Sequence, residues 1–169
     1  KAVAQAAAAT VKRTHLELGG KAPVVVFEDA DLAAAAEGIA VAGYFNAGQD
    51  CTAATRVLAR ADVASDLTDA LAEQAKGATT TYGRASDDED AWVPPVNNVH
   101  QMERVLSFLA EVPSHATLAS GGTRQGDKGF YVEPTVIGGL HQDDRLIQTE
   151  VFGPVITVQS FTDEAEVLE

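Results

Sequence analysis

The residue best suited to covalent chemistry is Cys51, the only cysteine of the chain. A thiolate is a strong nucleophile toward a carbonyl carbon. Gly48 permits a tight or left-handed backbone just before Cys51, and the neighbouring Asn46, Gln49 and Thr52 offer hydrogen-bonding groups that a buried apolar cysteine would not require. Free cysteine is more often a small buried residue, which is the alternative. We interpret Cys51 as a nucleophile.

A second chemical group is Glu17, which is followed by two glycines in the run LELGGK, Leu16 to Lys21. A carboxylate can act as a general base, removing a proton from the water that hydrolyses an acyl intermediate. Glycines beside it leave room for a substrate or cofactor. By itself, Glu17 would be read as an exposed strand carboxylate. Together with Cys51, it suggests a nucleophile and base that share one cavity.

Alternating helix and strand patterns surround these two residues. An apolar helical pattern precedes Cys51, and a strand pattern follows it. Strands that alternate with helices of this length indicate an α/β fold with a mainly parallel sheet flanked by helices. No G-x-G-x-x-G run follows a strand, so the dinucleotide-binding fingerprint is absent. The predicted strands are Thr14–Leu18, Pro23–Phe27 (covered on both faces), Arg56–Arg60, Ala116–Ala119, Tyr131–Ile137 (with an edge position or an irregularity at Pro134) and Val155–Phe161. The predicted helices are the end of one in Lys1–Arg13, Leu32–Tyr44, Ser65–Lys76, Val99–Ala110 and one that opens at Thr162.

The composition limits the partners. The chain has 169 residues, with 25 acidic and 12 basic side chains and a net charge of −13. A negative field of this size argues against nucleic acid and anionic membranes as partners. One cysteine excludes internal disulfides and suits a reducing compartment, so we expect a soluble cytoplasmic protein. Because the chain begins at Lys1 and ends within a predicted helix, we expect it to be part of a longer polypeptide.

Two further groups of polar residues give no predicted site. The acidic run Ser86 to Asp90 is expected to be a solvated loop, since consecutive carboxylates rarely converge on one ion. The four histidines are scattered along the sequence, and no histidine, cysteine and carboxylate group shows the spacing of metal ligands. We therefore predict no metal site. The histidines are His15, His100, His115 and His141.

Three sequence blocks together resemble the aldehyde dehydrogenase superfamily. They are LELGGK from Leu16, FNAGQDC from Phe45 and EVFGPV from Glu150, in the family's order and at compatible spacing. The resemblance covers essentially the whole chain. Within the superfamily, the runs KAPVVVF and NAGQDCTAA are most similar to aminoaldehyde dehydrogenases, including γ-aminobutyraldehyde dehydrogenases.

The resemblance implies a role for each matching residue. Cys51 would attack the aldehyde to form a thiohemiacetal, hydride transfer to NAD or NADP would give a thioester, and Glu17 would activate the hydrolytic water. Glu150 would bind the nicotinamide ribose, with Phe152 beside the nicotinamide. The remaining implied contacts are Leu18 and Gln101 for the cofactor and Phe45 and Thr52 for the substrate.

Asp50, the neighbour of the nucleophile, carries a separate hypothesis. A carboxylate in the substrate tunnel would favour a cationic amino group on the aldehyde. The alternative is a loop aspartate that points to water. This residue would explain a preference for aminoaldehydes.

The resemblance also predicts what residues 1–169 lack. We expect them to form the catalytic, cysteine-bearing domain, with the family's dinucleotide-binding domain and C-terminal oligomerisation segment outside the chain. The full-length protein is expected to be a homo-oligomer that acts on a small-molecule aldehyde. Two alternatives stay open: a thiol acyl-transfer or esterase domain that needs no nicotinamide, and a non-catalytic assembly domain.

Overall fold

The computed structural model of the chain describes residues 1–85 and 88–168. Within these described residues, five strands form one sheet, and six α-helices surround or extend it. In chain order the elements are α1 Ala2–Ala8, β1 Pro23–Val26, α2 Leu32–Tyr44, β2 Arg56–Arg60, α3 Ala64–Gly77, α4 Val99–Ala110, β3 Thr117–Ser120, β4 Thr135–Gly138, α5 Arg145–Gln148, β5 Val155–Phe161 and α6 Glu164–Leu168.

The sheet has the strand order β1-β2-β5-β4-β3. The pairs β1–β2, β2–β5 and β5–β4 are parallel, and only the β3–β4 pair is antiparallel. Parallel neighbours require crossover connections, which helices such as α2 provide. The predicted α/β class with a mainly parallel sheet is therefore confirmed.

The core lies where the central strands meet α2 and α3. β5 is buried along almost its whole length, as is β4, which matches the apolar runs in their sequences. The two helices pack against each other and against the sheet. Gly43 allows α2 to approach β5 closely, because a Cβ at this position would lie 2.9 Å from the Cδ1 atom of Ile156.

Several boundaries agree with simple local rules. α2 begins after Asp31, whose carboxylate accepts hydrogen bonds from the backbone N–H groups of Ala33 and Ala34, both at 3.1 Å. This is the N-cap arrangement that satisfies free amides in the first turn. α4 is capped in the same way by Asn98, which accepts from the Gln101 N–H at 2.9 Å.

Three sequence predictions about strands are wrong. Thr14–Leu18 is not a strand, because no neighbouring segment pairs with it within the described chain. β1 is an edge strand, with Val25 41% exposed, so it is not covered on both faces. β4 lies between β5 and β3, so the edge alternative for Tyr131–Ile137 is wrong; the strand begins only at Thr135, and the irregularity expected at Pro134 lies just before it.

The acidic run predicted to be a surface loop falls partly outside the described residues, since Ser86 and Asp87 are among those not described. Of the remainder, Glu89 and Asp90 are exposed, and Asp88 forms a 3.0 Å ion pair with Arg84. Among the described residues, no helix has both the length and the apolar composition needed to cross a bilayer.

Candidate active site

The loop that carries Cys51 starts at the end of α2. The Tyr44 hydroxyl donates a buried hydrogen bond to the Thr135 carbonyl at 3.1 Å, which fixes the last turn of α2 against β4. A 3₁₀ turn, Phe45–Gly48, follows, and Asn46 and Ala47 both have positive φ angles, of 49° and 55°. Positive φ angles are uncommon for non-glycine residues, and those that occur are frequently found at functional sites.

Polar side chains in this loop hold its shape. Asn46 and Gln49 each donate through their side-chain amide to the other's backbone carbonyl, at 3.1 and 3.0 Å. The Gln49 Oε1 atom also accepts from the Asn97 N–H at 2.7 Å, which ties the loop to the segment before α4. Cys51 itself is exposed. Asn46 and Gln49 therefore mainly hold the loop around Cys51 in shape, and the thiol is accessible.

Asp50 has a defined local environment. Its Oδ1 atom accepts from the Thr52 backbone N–H at 2.7 Å and from the Thr52 hydroxyl at 2.8 Å. The backbone hydrogen bond and then the hydroxyl hydrogen bond from Thr52 lower the pKa of Asp50 below its ordinary value. Asp50 is therefore an anion adjacent to Cys51 at neutral pH. Thr52, predicted to contact substrate, is engaged in orienting this carboxylate.

The loop Glu150 to Gly153 joins the Cys51 loop to the Glu17 segment. On one side, Gly48 has a φ of +70° and packs so closely on Gly153 that a Cβ would collide with the Gly153 carbonyl. On the other side, the Glu150 carboxylate lies against Gly19 and accepts from the Gly20 N–H at 3.4 Å. Thus all three blocks that resemble the superfamily meet at one place.

Lys21 makes a further connection at this place. Its ammonium donates to the Thr55 carbonyl at 3.2 Å, linking the segment after Glu17 to the end of the Cys51 loop. Desolvation, and secondly the nearby Arg56 cation, lower the pKa of Lys21 to about 7, while Glu150 acts in the opposite direction. Lys21 was not predicted as a site residue, although the sequence places this lysine directly after two glycines.

Glu17 and Leu18 lie on an exposed segment without regular structure. The Glu17 carboxylate accepts a hydrogen bond from the His15 Nε2 atom, and its side chain is 76% exposed. Leu18 is 78% exposed, and Phe45, at the end of α2, is 64% exposed. Glu17 and Cys51 are therefore both accessible, neither lying in the apolar core. The assigned roles of Glu17, Leu18 and Phe45 remain predictions.

Helix α4 holds the Glu150 to Gly153 loop through two side chains. The Gln101 side-chain amide donates to the carbonyls of Val151 and Phe152, at 3.1 and 2.6 Å. One turn later, Arg104 donates to the Glu150 carbonyl at 2.6 Å. The loop is strained at Phe152, whose φ is 58° and whose side chain is partly exposed. Gln101, predicted to contact the cofactor, thus positions the backbone of Phe152, and Arg104 positions that of Glu150; both are predicted cofactor residues.

Arg104 was missed at the sequence level. Its spacing of three residues from Gln101 places both side chains on one face of α4, which is the signal that could have found it. The position of the surface cavities does not identify the site either. A cavity of about 440 Å³ lies between the end of α3 and Gly121, but its lining contains neither Cys51 nor Glu17. It also lacks any cysteine or histidine, so the Cys51 region is the better candidate.

Two of the four histidines, which are scattered along the sequence, lie together in the structure. The rings of His115 and His141 stack with centroids 4.0 Å apart, and His115 Nε2 lies 3.0 Å from Asp144 Oδ2. His115 lies in a different loop from His141 and Asp144, so the spacing along the chain gave no signal that it contacts them.

Comparison with known proteins gives a consistent result. The model of the aldehyde dehydrogenase family matches residues 1–169. A mitochondrial aldehyde dehydrogenase of Leishmania tarentolae is 36% identical over 97% of the chain, which covers 32% of that relative. An aldehyde dehydrogenase of Alternaria alternata is 35% identical over 97% of the chain and 33% of its own length. The chain therefore spans about a third of the length of these relatives.

Solved structures of aldehyde dehydrogenases match the chain with a comparable sequence identity. An NAD+ complex of an aldehyde dehydrogenase from Bacillus cereus has a TM-score of 0.90 and 33% identity, over 99% of the chain and 34% of that structure. A betaine aldehyde dehydrogenase from Staphylococcus aureus, also in complex with NAD+, has a TM-score of 0.86 and 34% identity over the same shares.

Proposed function

Because the chain belongs to the aldehyde dehydrogenase family, we propose that it is the catalytic domain of an NAD+-dependent enzyme that oxidises an aldehyde to a carboxylic acid. The proposal concerns the whole polypeptide that carries these residues, with the dinucleotide-binding domain and the oligomerisation segment outside residues 1–169. The single observation that carries it is the junction at Glu150 to Gly153, which contacts Gly19 and Gly20 on one side and Gly48 on the other.

Cys51 performs the covalent step. Its thiolate attacks the aldehyde carbon, the carbonyl π electrons move to oxygen, and the resulting thiohemiacetal oxyanion accepts a hydrogen bond from the Cys51 backbone N–H. Loss of hydride from the same carbon leaves a thioester on the sulfur. The exposed position of Cys51, on a loop held by Gln49, gives an aldehyde access to the sulfur.

Glu17 serves the hydrolytic step. It removes a proton from water as the water oxygen attacks the thioester carbon, and collapse of the tetrahedral adduct expels the Cys51 thiolate and yields the acid. The carboxylate exchanges its contact with His15 for this water. A side chain as exposed as Glu17 can make such a rotation readily.

The residues present fit a nicotinamide dinucleotide. Glu150 offers a carboxylate for ribose hydroxyls beside two glycines whose lack of side chains leaves the approach open, and Phe152 offers an exposed aromatic ring. The cofactor, when bound, is the two-electron acceptor for the hydride. Gln101 and Arg104 hold the backbone of Glu150 to Phe152 in place for binding. NAD+ is favoured over NADP+ because structural neighbours were solved with NAD+.

The proposed substrate class is an aldehyde that carries a cationic amino or ammonium group. Asp50 is ionised, lies next to Cys51 and is oriented by Thr52. The similar enzyme of S. aureus is named for betaine aldehyde, a cationic aldehyde. Leu18, Phe45 and Phe152 supply apolar surface around the reacting groups. We place the protein in the cytoplasm, where a single free cysteine stays reduced, as a homo-oligomer.

The full-length protein, assayed with NAD+ and an aldehyde, tests the mechanism. We expect Cys51→Ser to abolish NADH formation. Glu17→Gln should retain a first-turnover burst of NADH and lose about 100-fold or more in the steady-state rate, because only thioester hydrolysis needs the base. The control is Glu37→Gln, an exposed carboxylate on α2, which should leave both phases unchanged.

Other outcomes would contradict the proposal. Hydrolysis of an activated ester without NAD+, abolished by Cys51→Ser, together with no NADH formation from any aldehyde, would indicate a thiol acyl-transfer enzyme. A folded protein in which Cys51 reacts with neither aldehydes nor alkylating reagents would indicate an assembly domain.

A further inference from the structure

A cluster of metal-ligating side chains lies outside the proposed active site. It consists of His115, His141 and Asp144, whose ligand atoms all lie within 4.8 Å of one another. His115 precedes β3, and His141 and Asp144 lie between β4 and α5. None of the three residues takes part in the proposed oxidation. We call them the His–His–Asp cluster.

The antiparallel β3–β4 pair brings the cluster together. Thr117 pairs with Gly138, so the residues just before β3 and just after β4 emerge at the same end of this pair. The Asp144 Oδ2 atom accepts from the His141 backbone N–H at 2.7 Å and from His115 Nε2 at 3.0 Å. Asp144 therefore links the two loops, and a rigid scaffold sets the separation of the ligands.

The side chains retain the freedom needed for coordination. The two imidazole rings are parallel within 5°, and both histidines are exposed, so a small tilt of each ring can aim its nitrogen at a shared point. Ligand atoms at 2.0–2.1 Å from a metal lie roughly 3–3.5 Å apart. The 3.0 Å distance between His115 Nε2 and Asp144 Oδ2 already matches this, and His141 must approach.

The neighbouring charges also permit a cation. Arg145 follows Asp144 directly, but its guanidinium pairs with the Glu111 carboxylate and lies 4.2 Å from the centre of the Phe108 ring. The chain as a whole has a net charge of −13, which favours the approach of divalent ions.

We propose that the His–His–Asp cluster binds one divalent transition-metal ion of the Zn²⁺ class, which fastens the loop before β3 to the loop after β4. Two imidazoles and a carboxylate suit Zn²⁺, Ni²⁺ or Cu²⁺ better than Mg²⁺ or Ca²⁺, which prefer oxygen ligands. The metal takes the place of the proton between His115 Nε2 and Asp144 Oδ2, and the neutral imidazole then carries its single proton on Nδ1. Water fills the remaining coordination positions.

Zn²⁺ titration by calorimetry tests the site, using untagged full-length protein with Cys51→Ser as the background so that thiolate binding is removed. We expect one bound ion per chain. His115→Gln, His141→Gln and Asp144→Asn should each weaken binding at least about tenfold. The control His100→Gln removes an exposed histidine that also lies near a carboxylate, Glu103 at 3.8 Å, and should leave the affinity unchanged.

A second measurement avoids mutation of the cluster. Zn²⁺ should protect His115 and His141, but not His100, from diethyl pyrocarbonate, as read by peptide mass spectrometry. Absence of saturable Zn²⁺ binding would overturn the proposal. So would binding that the three variants leave unchanged, or equal protection of His100, since either result shows adventitious zinc only.

Discussion

At the residue scale, Asp50 combines an observed role in local structure with a proposed role in substrate binding. Both of its hydrogen bonds from Thr52 converge on Oδ1. Oδ2 accepts no hydrogen bond from Thr52, and we propose that it faces the cationic substrate. The same two bonds lower the pKa of the group, so the charge persists across the neutral range. A single loop residue can thereby bias substrate choice without taking part in bond breaking.

We expect Asp50→Asn to lower kcat/KM for aminobutyraldehyde and betaine aldehyde at least about fivefold more than for an uncharged aliphatic aldehyde. The amide keeps an acceptor for Thr52 but removes the negative charge that would attract a cationic substrate. Steady-state NADH formation with each aldehyde provides the measurement. Equal losses on charged and neutral aldehydes would exclude substrate recognition by Asp50.

Burial of the Lys21 ammonium lowers the stability of the folded protein at low pH. Its folded-state pKa of about 7 lies below the ordinary value of 10.5, chiefly through desolvation. Between these two values the unfolded chain binds the proton and the folded chain does not, so the free energy of unfolding rises with pH over that window. Below it both states are protonated, and the cost of burying the ammonium is fully present.

Lys21→Met should remove this pH dependence. Relative to the Met variant, the native protein should gain on the order of 2 kcal/mol of unfolding free energy between pH 7 and about pH 9. Urea unfolding of both proteins at the two pH values measures the difference. The matched variant Lys76→Met removes an exposed lysine that pairs with Glu73, and its difference from native should not change with pH.

At the scale of elements, the site depends on close contacts between loop backbones at the ends of α2, α4 and β5. Gly48 packs on Gly153, and Gly153 in turn packs on Val105 of α4, because neither glycine has a side chain. The helix contributes Gln101 and Arg104 to the same loop. Displacement of one loop should therefore disturb both the nucleophile and the proposed cofactor contacts.

Gly48→Ala should destabilise the protein by about 2–3 kcal/mol and lower turnover, because the residue has positive φ and its Cβ would meet the Gly153 carbonyl. Gly77→Ala is the matched control: this residue ends α3, and a Cβ there meets no heavy atom within 4 Å. It should be neutral or stabilise by up to about 1 kcal/mol. Thermal unfolding and NADH formation compare the two variants; similar losses in both would refute the packing argument.

At the scale of the whole molecule, the two proposed catalytic residues differ in how many contacts hold them in place. Cys51 is tied through its loop to α2, β4 and the segment before α4, whereas Glu17 lies in an exposed segment without regular structure. Within residues 1–85 and 88–168, the contacts that connect this segment to the rest of the chain near the site are those of Gly19, Gly20 and Lys21. We infer that the base is positioned fully only in the longer protein.

Hydrogen exchange tests this inference. In the isolated chain, amides of residues 12–20 should exchange about as fast as unstructured peptide, because they have few backbone partners. In the full-length protein the same amides should be slowed at least about tenfold. Val155–Phe161 of β5, central in the sheet, should be protected in both. Equal exchange of residues 12–20 in the two proteins would show that no further segment supports Glu17.

The amino-acid sequence by itself determined the local elements and the chemical groups. The bounds of α2, β2 and β5 were predicted correctly, since capping, helical periodicity and continuous apolar runs are properties of neighbouring residues. The sequence also identified Cys51, Glu17 and Glu150 as groups on three separate blocks, through residue type and through resemblance. Their catalytic and binding roles still await the experiments above.

Only the tertiary structure decided which segments meet. The alternating pattern of Thr14–Leu18 predicted a strand, but a strand forms only where a partner pairs with it. The roles of Arg104 and Lys21 followed from contacts with Glu150 and Thr55, which are distant in sequence. The His–His–Asp cluster depends on the register of β3 with β4. Such contacts are set by packing of the whole chain, so no local pattern contains them.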